Sequence, residues 1–250
     1  MISKNRLKYL RSLKIKKYRI KEQLLLVEGF RLISEALNAQ ADIQTIYYSK
    51  KILNNKEFQR LFDKCNSKKI EIVEIQQKNI DELSDSINNQ GIIAVINTPI
   101  SIDNFTSSNQ LILDSISDPG NMGNILRTAD WFGLKNIYLS ENSIDPYNRK
   151  TVRASMGAHF YINIIFINID QHIKMLKENN FTIIGADVIG DNLYDWEPPS
   201  KWAIILGNEA HGISSNVKEF VDYNITIPKK GNIESLNVAM AAGILLSHAK

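Results

Sequence analysis

Residues 227–243, IPKKGNIESLNVAMAAG, carry the most information about how this 250-residue chain folds. A strand-like end breaks at Pro228, a Lys/Gly/Asn turn follows, and Ser235-Leu236-Asn237 lead into an Ala-rich helix that we expect to begin near Ser235. Polar side chains and free backbone groups at a helix N-terminus often hold small ligands. The segment therefore suggests a binding site, and the alternative is a strand, turn and helix that only close the domain.

A second segment places polar side chains after an apolar run. A strand is predicted over 110–114 and a helix over 124–132, with Asn121 near the helix cap and Arg127 within the first two turns. Side chains at the carboxyl end of a strand face the crevice where open α/β sheets bind ligands. The alternative is a capped helix with an exposed arginine.

A third segment follows the apolar strand predicted over 202–206. Glu209 lies between Gly207 and Gly212 in a short loop. Gly207 would let a ligand approach the backbone closely, and Glu209 could orient a cation or a hydroxyl. The alternative is a solvated glutamate before a helix over 214–220. A lone histidine in a loop is more often incidental, so His211 is given no role.

Composition and charge limit the possible classes of protein. The apolar fraction of 44% and the charged fraction of 23% are ordinary for a globular chain. The single cysteine can form neither an internal disulfide nor a metal cluster, which favours a reducing cytoplasm and no metal. Residues 1–31 contain ten Lys or Arg against two Glu, whereas the whole chain has a net charge of only +3. So basic a segment favours a polyanionic partner, and a solvated helix face is the alternative.

Apolar runs alternate with helical segments along the whole chain, which predicts two α/β domains. The segment at 4–21 is expected to be a basic helix or arm, and a strand is expected over 182–187. Residues 97–109 have linker composition, with a boundary near residue 105. We expect an N-terminal domain over 1–97, a linker over 98–108 and a second domain with a mostly parallel sheet over 109–250.

Taken together, the three polar segments resemble the motifs of the SpoU (TrmH-like) RNA ribose 2′-O-methyltransferases of the SPOUT superfamily. Asn-x-Gly-Asn-x-x-Arg-[Thr/Ser] matches 121–128, Gly-x-Glu-x-x-Gly matches 207–212, and Ile-Pro-x-x-Gly-x-x-x-Ser-Leu-Asn-Val-x-x-Ala matches 227–241. The resemblance is strong over 108–250. The first hundred residues resemble, on weaker features, the family's substrate-binding domain with its ribosomal-protein-like α/β fold.

The resemblance implies a fold, a cofactor and an assembly. The fold would be a parallel α/β sheet whose C-terminal segment threads a deep trefoil knot, an exception to general topology rules. The cofactor would be S-adenosylmethionine, and the molecule would be a homodimer. Four residues would line the cofactor pocket: Leu206, Gly207, Ile227 and Leu236.

The resemblance also implies methyl transfer to a ribose 2′-OH. Arg127 would be the catalytic residue, as a base or as an electrostatic activator; an arginine is nearly always protonated, which favours activation. Four further residues would orient Arg127 and the ribose: Asn121, Glu209, Ser235 and Asn237.

For the substrate, the resemblance favours ribosomal RNA of the 23S type. The basic arm would contact RNA phosphate through Lys14, Lys16, Lys17 and Arg19. A tRNA methyltransferase and a non-catalytic RNA-binding protein on the same fold are the alternatives. A nucleotide-dependent oxidoreductase is disfavoured because the chain lacks a Gly-x-Gly-x-x-Gly turn after a strand.

Overall fold

The structure, a computed structural model, describes residues 2–101 and 108–249. It consists of two compact units, the first formed by Met1–Pro99 with Tyr147–Phe160 and the second by Ile100–Pro146 with Tyr161–Lys250. Residues 147–160 thus belong to the first unit although they follow the linker in sequence. Most of the predicted linker, and the boundary near residue 105, lie outside the described residues.

The first unit is a mixed four-stranded sheet flanked by helices. Its strands are β1 (Leu24–Glu28), β2 (Ile43–Tyr48), β3 (Glu71–Glu74) and β4 (Ile92–Asn97). Its helices are α1 (Lys4–Ser12), α2 (Lys16–Glu22), α3 (Phe30–Asn38), α4 (Lys56–Ser67), α5 (Gln77–Leu83) and α7 (Arg149–Ser155). The strand order is β1-β4-β2-β3, with β4 antiparallel to β1 and β2, and β2 parallel to β3.

Both faces of this sheet are covered, which explains the uninterrupted apolar run of β1. Leu25 and Val27 belong to one core with residues of α3 and α4. Leu24 and Leu26 belong to a second core with residues of α1 and α5. Successive side chains of a strand point to opposite faces, so a strand buried on both sides must be apolar at every position.

The basic segment expected over 4–21 as a helix or arm consists of two helices, α1 and α2. Ile15 between them has extended backbone angles (φ −98°, ψ 128°) and forms the N-cap of α2. Arg19 is buried, and its guanidinium donates to the carbonyl oxygens of Leu13 (3.2 Å) and Lys14 (2.8 Å). These bonds satisfy carbonyl groups left free where α1 ends, which stabilises the break.

An ion-pair cluster joins α7 to the rest of the first unit. The Arg149 guanidinium pairs with Glu28 at 3.3 Å and with Asp85, and the Arg149 and Glu28 side chains are only 11% and 10% exposed. Arg149 also donates to the carbonyl oxygen of Leu83 (2.8 Å). Because a buried charge without a partner is strongly destabilising, this cluster makes α7 an integral part of the unit.

The second unit is an all-parallel six-stranded sheet. Its strands are β5 (Gln110–Leu113), β6 (Asn136–Ser140), β7 (Asn163–Ile167), β8 (Thr182–Asn192), β9 (Trp202–Leu206) and β10 (Tyr223–Thr226). Its helices are α6 (Pro119–Trp131), α8 (Ile169–Glu178), α9 (Ser215–Lys218) and α10 (Val238–His248). The strand order is β10-β8-β9-β5-β6-β7, and every paired strand is parallel. The predicted parallel α/β sheet is therefore confirmed.

The strand order reverses between β5 and β9. From β5 the chain proceeds to β6 and β7 on one side, and the later strands β8, β9 and β10 fill the other side. Ligands of open α/β sheets bind outside the carboxyl ends of the strands at such a switch point. The loops after β5 and β9, which carry two of the three polar segments, meet there.

Several predicted boundaries in this unit were wrong. Helix α10 begins at Val238 rather than near Ser235, because Asn237 is its N-cap, and α9 covers only Ser215–Lys218 of the predicted 214–220.

Helix α6 begins at Pro119, five residues before the predicted start at 124, because Asp118 caps it by accepting from Asn121 N at 2.8 Å and proline suits the first helical position. Strand β8 runs on to Asn192, beyond the predicted end at 187. Its exposed last residues, Val188 to Asn192, end in Gly-Asp-Asn, which is typical of a turn rather than of a strand.

Candidate active site

The Glu209 carboxylate, in the loop after β9, is the centre of a hydrogen-bond network. Its Oε2 accepts from the Ser117 backbone N–H (3.2 Å) and hydroxyl (2.9 Å). Its Oε1 accepts from the Asp118 backbone N–H (3.2 Å) and from Asn121 Nδ2 (3.0 Å). Glu209 is therefore not merely solvated: it joins the loop after β9 to the start of α6.

Asn121 extends this network to the third polar segment. Its Oδ1 accepts a hydrogen bond from Asn237 Nδ2 at 2.9 Å. Asn237 in turn caps α10, accepting from the backbone N–H groups of Ala239 (2.9 Å) and Met240 (3.3 Å). One carboxylate and two amides thus connect all three polar segments that the sequence singled out. We call Glu209, Asn121 and Asn237 the central network.

The network also affects the ionisation of Glu209. Partial burial raises the pKa of the carboxyl, but hydrogen bonds from Asn121, from the Glu209 and Asp118 backbone N–H groups and from Ser117 outweigh it, so that the pKa lies below its ordinary value. The side chain is therefore an anion near neutral pH. An anion accepts from every donor around it, which fixes the orientation of the Asn121 amide.

Two residues that the sequence analysis did not single out hold the loops in place. Asn208 donates to the Ser115 carbonyl oxygen (2.7 Å), and its Oδ1 accepts from Ala210 N (2.9 Å). Asp114, at the end of β5, is 3% exposed and accepts from Ser214 N at 2.8 Å. For Asp114, the sequence signal was an aspartate that directly follows the apolar strand predicted over 110–114.

Arg127 and Ser235 lie outside the central network. Arg127 is exposed in the third turn of α6, beyond the predicted first two turns, and makes no hydrogen bond or ion pair with any described residue. Ser235 is likewise exposed and has no hydrogen-bond partner among the residues that the structure describes. Both side chains are therefore available to a substrate.

The expected cofactor residues fit a ligand with an apolar body and polar edges. A Cβ at Gly207 would lie 2.2 Å from backbone atoms of both Gly212 and Ile213, so only glycine permits this tight fold of the loop. Leu206 is buried directly before it, and Leu236 is 43% exposed. Residues 228–236 make no hydrogen bond with any other described residue, which leaves their backbone N–H and C=O groups available. These features suit S-adenosylmethionine.

The four expected RNA-contacting residues divide into two pairs. Lys16 and Lys17 are exposed on α2 and make no ion pair within 2–101 or 108–249. Lys14 pairs with Asp85 (3.2 Å) and donates to the Ser84 carbonyl oxygen (3.0 Å). Arg19 is buried and bound to backbone carbonyl groups, as described above. The structure thus leaves Lys16 and Lys17 as the phosphate-binding candidates.

Fold and site together define a class: a parallel α/β protein whose site is built from loops at a switch point of the sheet. The sequence profile described as the SpoU rRNA Methylase family matches residues 108–247, and that of the MRM3-like substrate binding domain matches residues 4–94. The chain belongs to the SpoU rRNA methylase family. No helix among the described residues is both long enough and apolar enough to cross a membrane.

Relatives extend this likeness over the whole chain. The 23S rRNA (guanosine(2553)-2′-O)-methyltransferase RlmP of Bacillus subtilis is 31% identical, covering 96% of this chain and 94% of its own. The 23S rRNA (guanosine-2′-O-)-methyltransferase RlmB of Escherichia coli is 31% identical over 79% of this chain and 87% of its own. The crystal structure of AdoMet-bound rRNA methyltransferase from Sinorhizobium meliloti is 27% identical, with a TM-score of 0.85 over 100% of this chain and 95% of that one.

Proposed function

We propose that this protein transfers the methyl group of S-adenosylmethionine to a ribose 2′-OH of ribosomal RNA. The observation that carries the proposal is the central network, which joins the three family motifs through Glu209, Asn121 and Asn237. The relatives named above as 23S rRNA enzymes match through both units, which supports ribosomal RNA over tRNA as the substrate.

The proposed cofactor site is formed by the loop after β9 and the loop before α10. Bound S-adenosylmethionine supplies an electrophilic methyl group on a sulfonium. The backbone at Gly207 and the available groups of residues 228–236 hold its polar edges, and Leu206 and Leu236 contact its apolar parts. The threaded knot that the resemblance implies stays a prediction.

Arg127 is proposed to act on the ribose. A guanidinium remains protonated at neutral pH, so Arg127 polarises the 2′-OH and the neighbouring phosphate while the hydroxyl proton passes to water. Because it makes no bond within the described residues, the full set of guanidinium donors is available to RNA. The central network holds the start of α6, and so positions the helix that carries Arg127.

The first unit is proposed to bind the RNA. Lys16 and Lys17 contact phosphate, and Tyr18 beside them is 38% exposed and offers a face on which a base can stack. Lys14 and Arg19 act inside the unit, where they fix the shape of the arm.

A homodimer is proposed through the exposed apolar side chains of α6 and α10. Trp131 on α6 is 83% exposed and Met240 on α10 is 55% exposed, and the two helices pack together. Large apolar side chains exposed on adjoining helices are typical of a surface that a partner covers. Sedimentation velocity on the whole protein tests this, and a monomer at micromolar concentration would contradict it.

The function is tested with S-adenosylmethionine labelled in its methyl group. Purified protein is incubated with ribosomal RNA or with tRNA, both transcribed in vitro so that they carry no modification. We expect label in the ribosomal RNA, at one nucleotide that resists alkaline cleavage because its 2′-OH is blocked. Label found only in tRNA would show that the substrate is tRNA and not ribosomal RNA. RNA binding without methyl transfer would support a non-catalytic RNA-binding protein.

A further inference from the structure

A cleft of about 370 Å³ lies in the first unit, at the edge of the sheet where the parallel strands β2 and β3 end. Its volume is within the usual range for small-ligand pockets, roughly 300–1,000 Å³. None of the residues assigned above to methyl transfer or to the basic arm lines this cleft. Its lining is Ile2, Ser49, Lys50, Lys51, Glu74, Ile75, Gln76, Gln77 and Asn79.

The cleft has the chemistry of a site for one flat, polar-edged ring. Gln76 and Asn79 each offer an amide donor and acceptor side by side, as do the edges of nucleobases. The Ile2 and Ile75 side chains supply apolar surface against which a ring face can pack. Such a mixture suits a nucleobase better than an anion or a purely apolar ligand.

The amides of Gln76 and Asn79 keep their hydrogen-bonding capacity. Neither side chain makes a hydrogen bond with any described residue, whereas Gln77 Nε2 donates to Asp81 (2.7 Å) and Asn89 (3.1 Å). Asn79 is only 8% exposed, and buried polar groups are nearly always hydrogen-bonded, so this unpartnered amide in the lining indicates that the cleft keeps hydrogen-bonding capacity for a ligand.

Charge at the rim indicates that the ring belongs to a nucleic acid. Lys50 and Lys51 are both exposed, and neither makes an ion pair with any residue in the described ranges. Two adjacent cations beside a polar cleft can neutralise the phosphates on either side of a base.

The geometry points to a nucleobase pocket, which takes one unstacked base of the RNA substrate while Lys50 and Lys51 contact its flanking phosphates. The inference rests on the proposed function in one respect, that RNA is the substrate. It adds a contact through which the first unit reads a base, whereas Lys16 and Lys17 read only phosphate.

The first test removes the rim charges. Lys50→Gln/Lys51→Gln is compared with Lys64→Gln/Lys69→Gln, a matched control that removes two lysines near the amino end of β3, at the opposite edge of the sheet. Binding of radiolabelled 23S rRNA, transcribed in vitro, is measured by filter retention at several salt concentrations. We expect about tenfold weaker binding and a salt slope smaller by roughly 1.4 for two single-strand phosphates, with a much smaller change in the control.

The second test locates the base. The same RNA, transcribed with 4-thiouridine or 6-thioguanosine, is cross-linked to wild-type protein and the attached peptides are identified by mass spectrometry. We expect cross-links within 74–79, lost in Gln76→Ala/Gln77→Ala. Gln76→Ala alone guards against misfolding, because the exposed Gln76 side chain makes no hydrogen bond with any described residue, so its loss should leave Tm unchanged and still weaken RNA binding several-fold.

The outcomes separate this inference from the proposed function. If wild type methylates RNA and the cleft variants match it in affinity, salt slope and cross-links, the pocket is wrong and the function stands. If RNA cross-links in the cleft but no methyl group is transferred, the function is wrong and the pocket stands. If nucleoside monophosphates bind in the cleft but RNA does not cross-link there, the cleft is a small-molecule site and the inference of an RNA base pocket is wrong.

Discussion

Asn237 donates a hydrogen bond from Nδ2 to Asn121 Oδ1 at 2.9 Å, although 116 residues separate them in sequence. The same Asn237 side chain uses its oxygen to cap α10. The Asn237 amide therefore has two separable functions. Its oxygen caps α10, and its NH₂ group orients Asn121, which donates to Glu209.

Asn237→Asp separates these two functions. An aspartate still caps α10, so Tm should change little, but it loses the donor and places a carboxylate against Asn121 Oδ1. We expect kcat to fall about tenfold or more, measured by methyl transfer to ribosomal RNA. Asn237→Ala is the comparison: it should lose the same activity and also about 1 kcal/mol of stability. Equal Tm values for both variants would contradict the capping function.

Glu209→Gln tests the need for a carboxylate at the centre of the network. A glutamine presents one NH₂ group where only donors surround it, so at least one contact with Ser117, Asp118 or Asn121 is lost. Hydrogen bonds to charged groups contribute about 1.5–3 kcal/mol, which corresponds to a loss of methyl transfer of roughly 10- to 100-fold. Activity within twofold of wild type would show that the charge is dispensable.

Glu209 should also give the protein an acid-dependent component of stability. Its pKa is lower in the folded than in the unfolded protein, so its stabilising contribution is fully present above the unfolded value of about 4.3 and is lost as pH falls through the folded value. The difference in Tm between wild type and Glu209→Gln should therefore shrink between pH 6 and the acid limit of folding. A difference independent of pH would contradict the shifted ionisation.

Gly207→Ala should disrupt the loop after β9. The new Cβ would lie 2.2 Å from backbone atoms of Gly212 and Ile213, which side-chain rotation cannot relieve. Overpacking costs about 1–3 kcal/mol or more, so Tm should fall and affinity for S-adenosylmethionine should drop, as measured by calorimetry. Gly231→Ala is the control, since no atom of the described residues lies within 4 Å of the corresponding Cβ position. Equal behaviour of the two variants would show that the loop has room to adapt.

Arg127→Ala should lower the rate of methyl transfer by about 10²-fold or more. It should leave Tm and the affinity for S-adenosylmethionine unchanged. The stability expectation follows from the absence of any bond between Arg127 and the described residues. Arg127→Lys should not restore full activity, because an ammonium cannot reproduce the planar set of guanidinium donors. Normal turnover by Arg127→Ala would remove this residue from the reaction.

The sequence predicted the sheet of the second unit from its apolar runs, and its resemblance to the family motifs singled out all three members of the central network. It did not foresee that Asn121 Nδ2 would bind Glu209 and Asn121 Oδ1 would bind Asn237, because pairing across long sequence separations depends on strand order, which no local pattern encodes. The start of α6 was missed although Asp118-Pro119 is a clear helix-start signal, because the glycines after it suggested a loop.

The basic arm shows a second limit of prediction from sequence, which concerns charged residues. Charge alone could not distinguish Lys16 and Lys17, which are exposed, from Arg19, which is buried against the Leu13 and Lys14 carbonyl groups. A cation in a basic segment can serve the fold as well as a partner, and only its hydrogen bonds decide between them.

The position of α7 in the first unit has a consequence for how the chain is made. A ribosome completes residues 1–99 well before it reaches Arg149, so Glu28 emerges without its buried ionic partner. Domains generally fold in the order of synthesis. Here the N-terminal unit acquires its last helix only after β5 and β6 of the other unit have been translated, so its final form depends on sequence that lies beyond the linker.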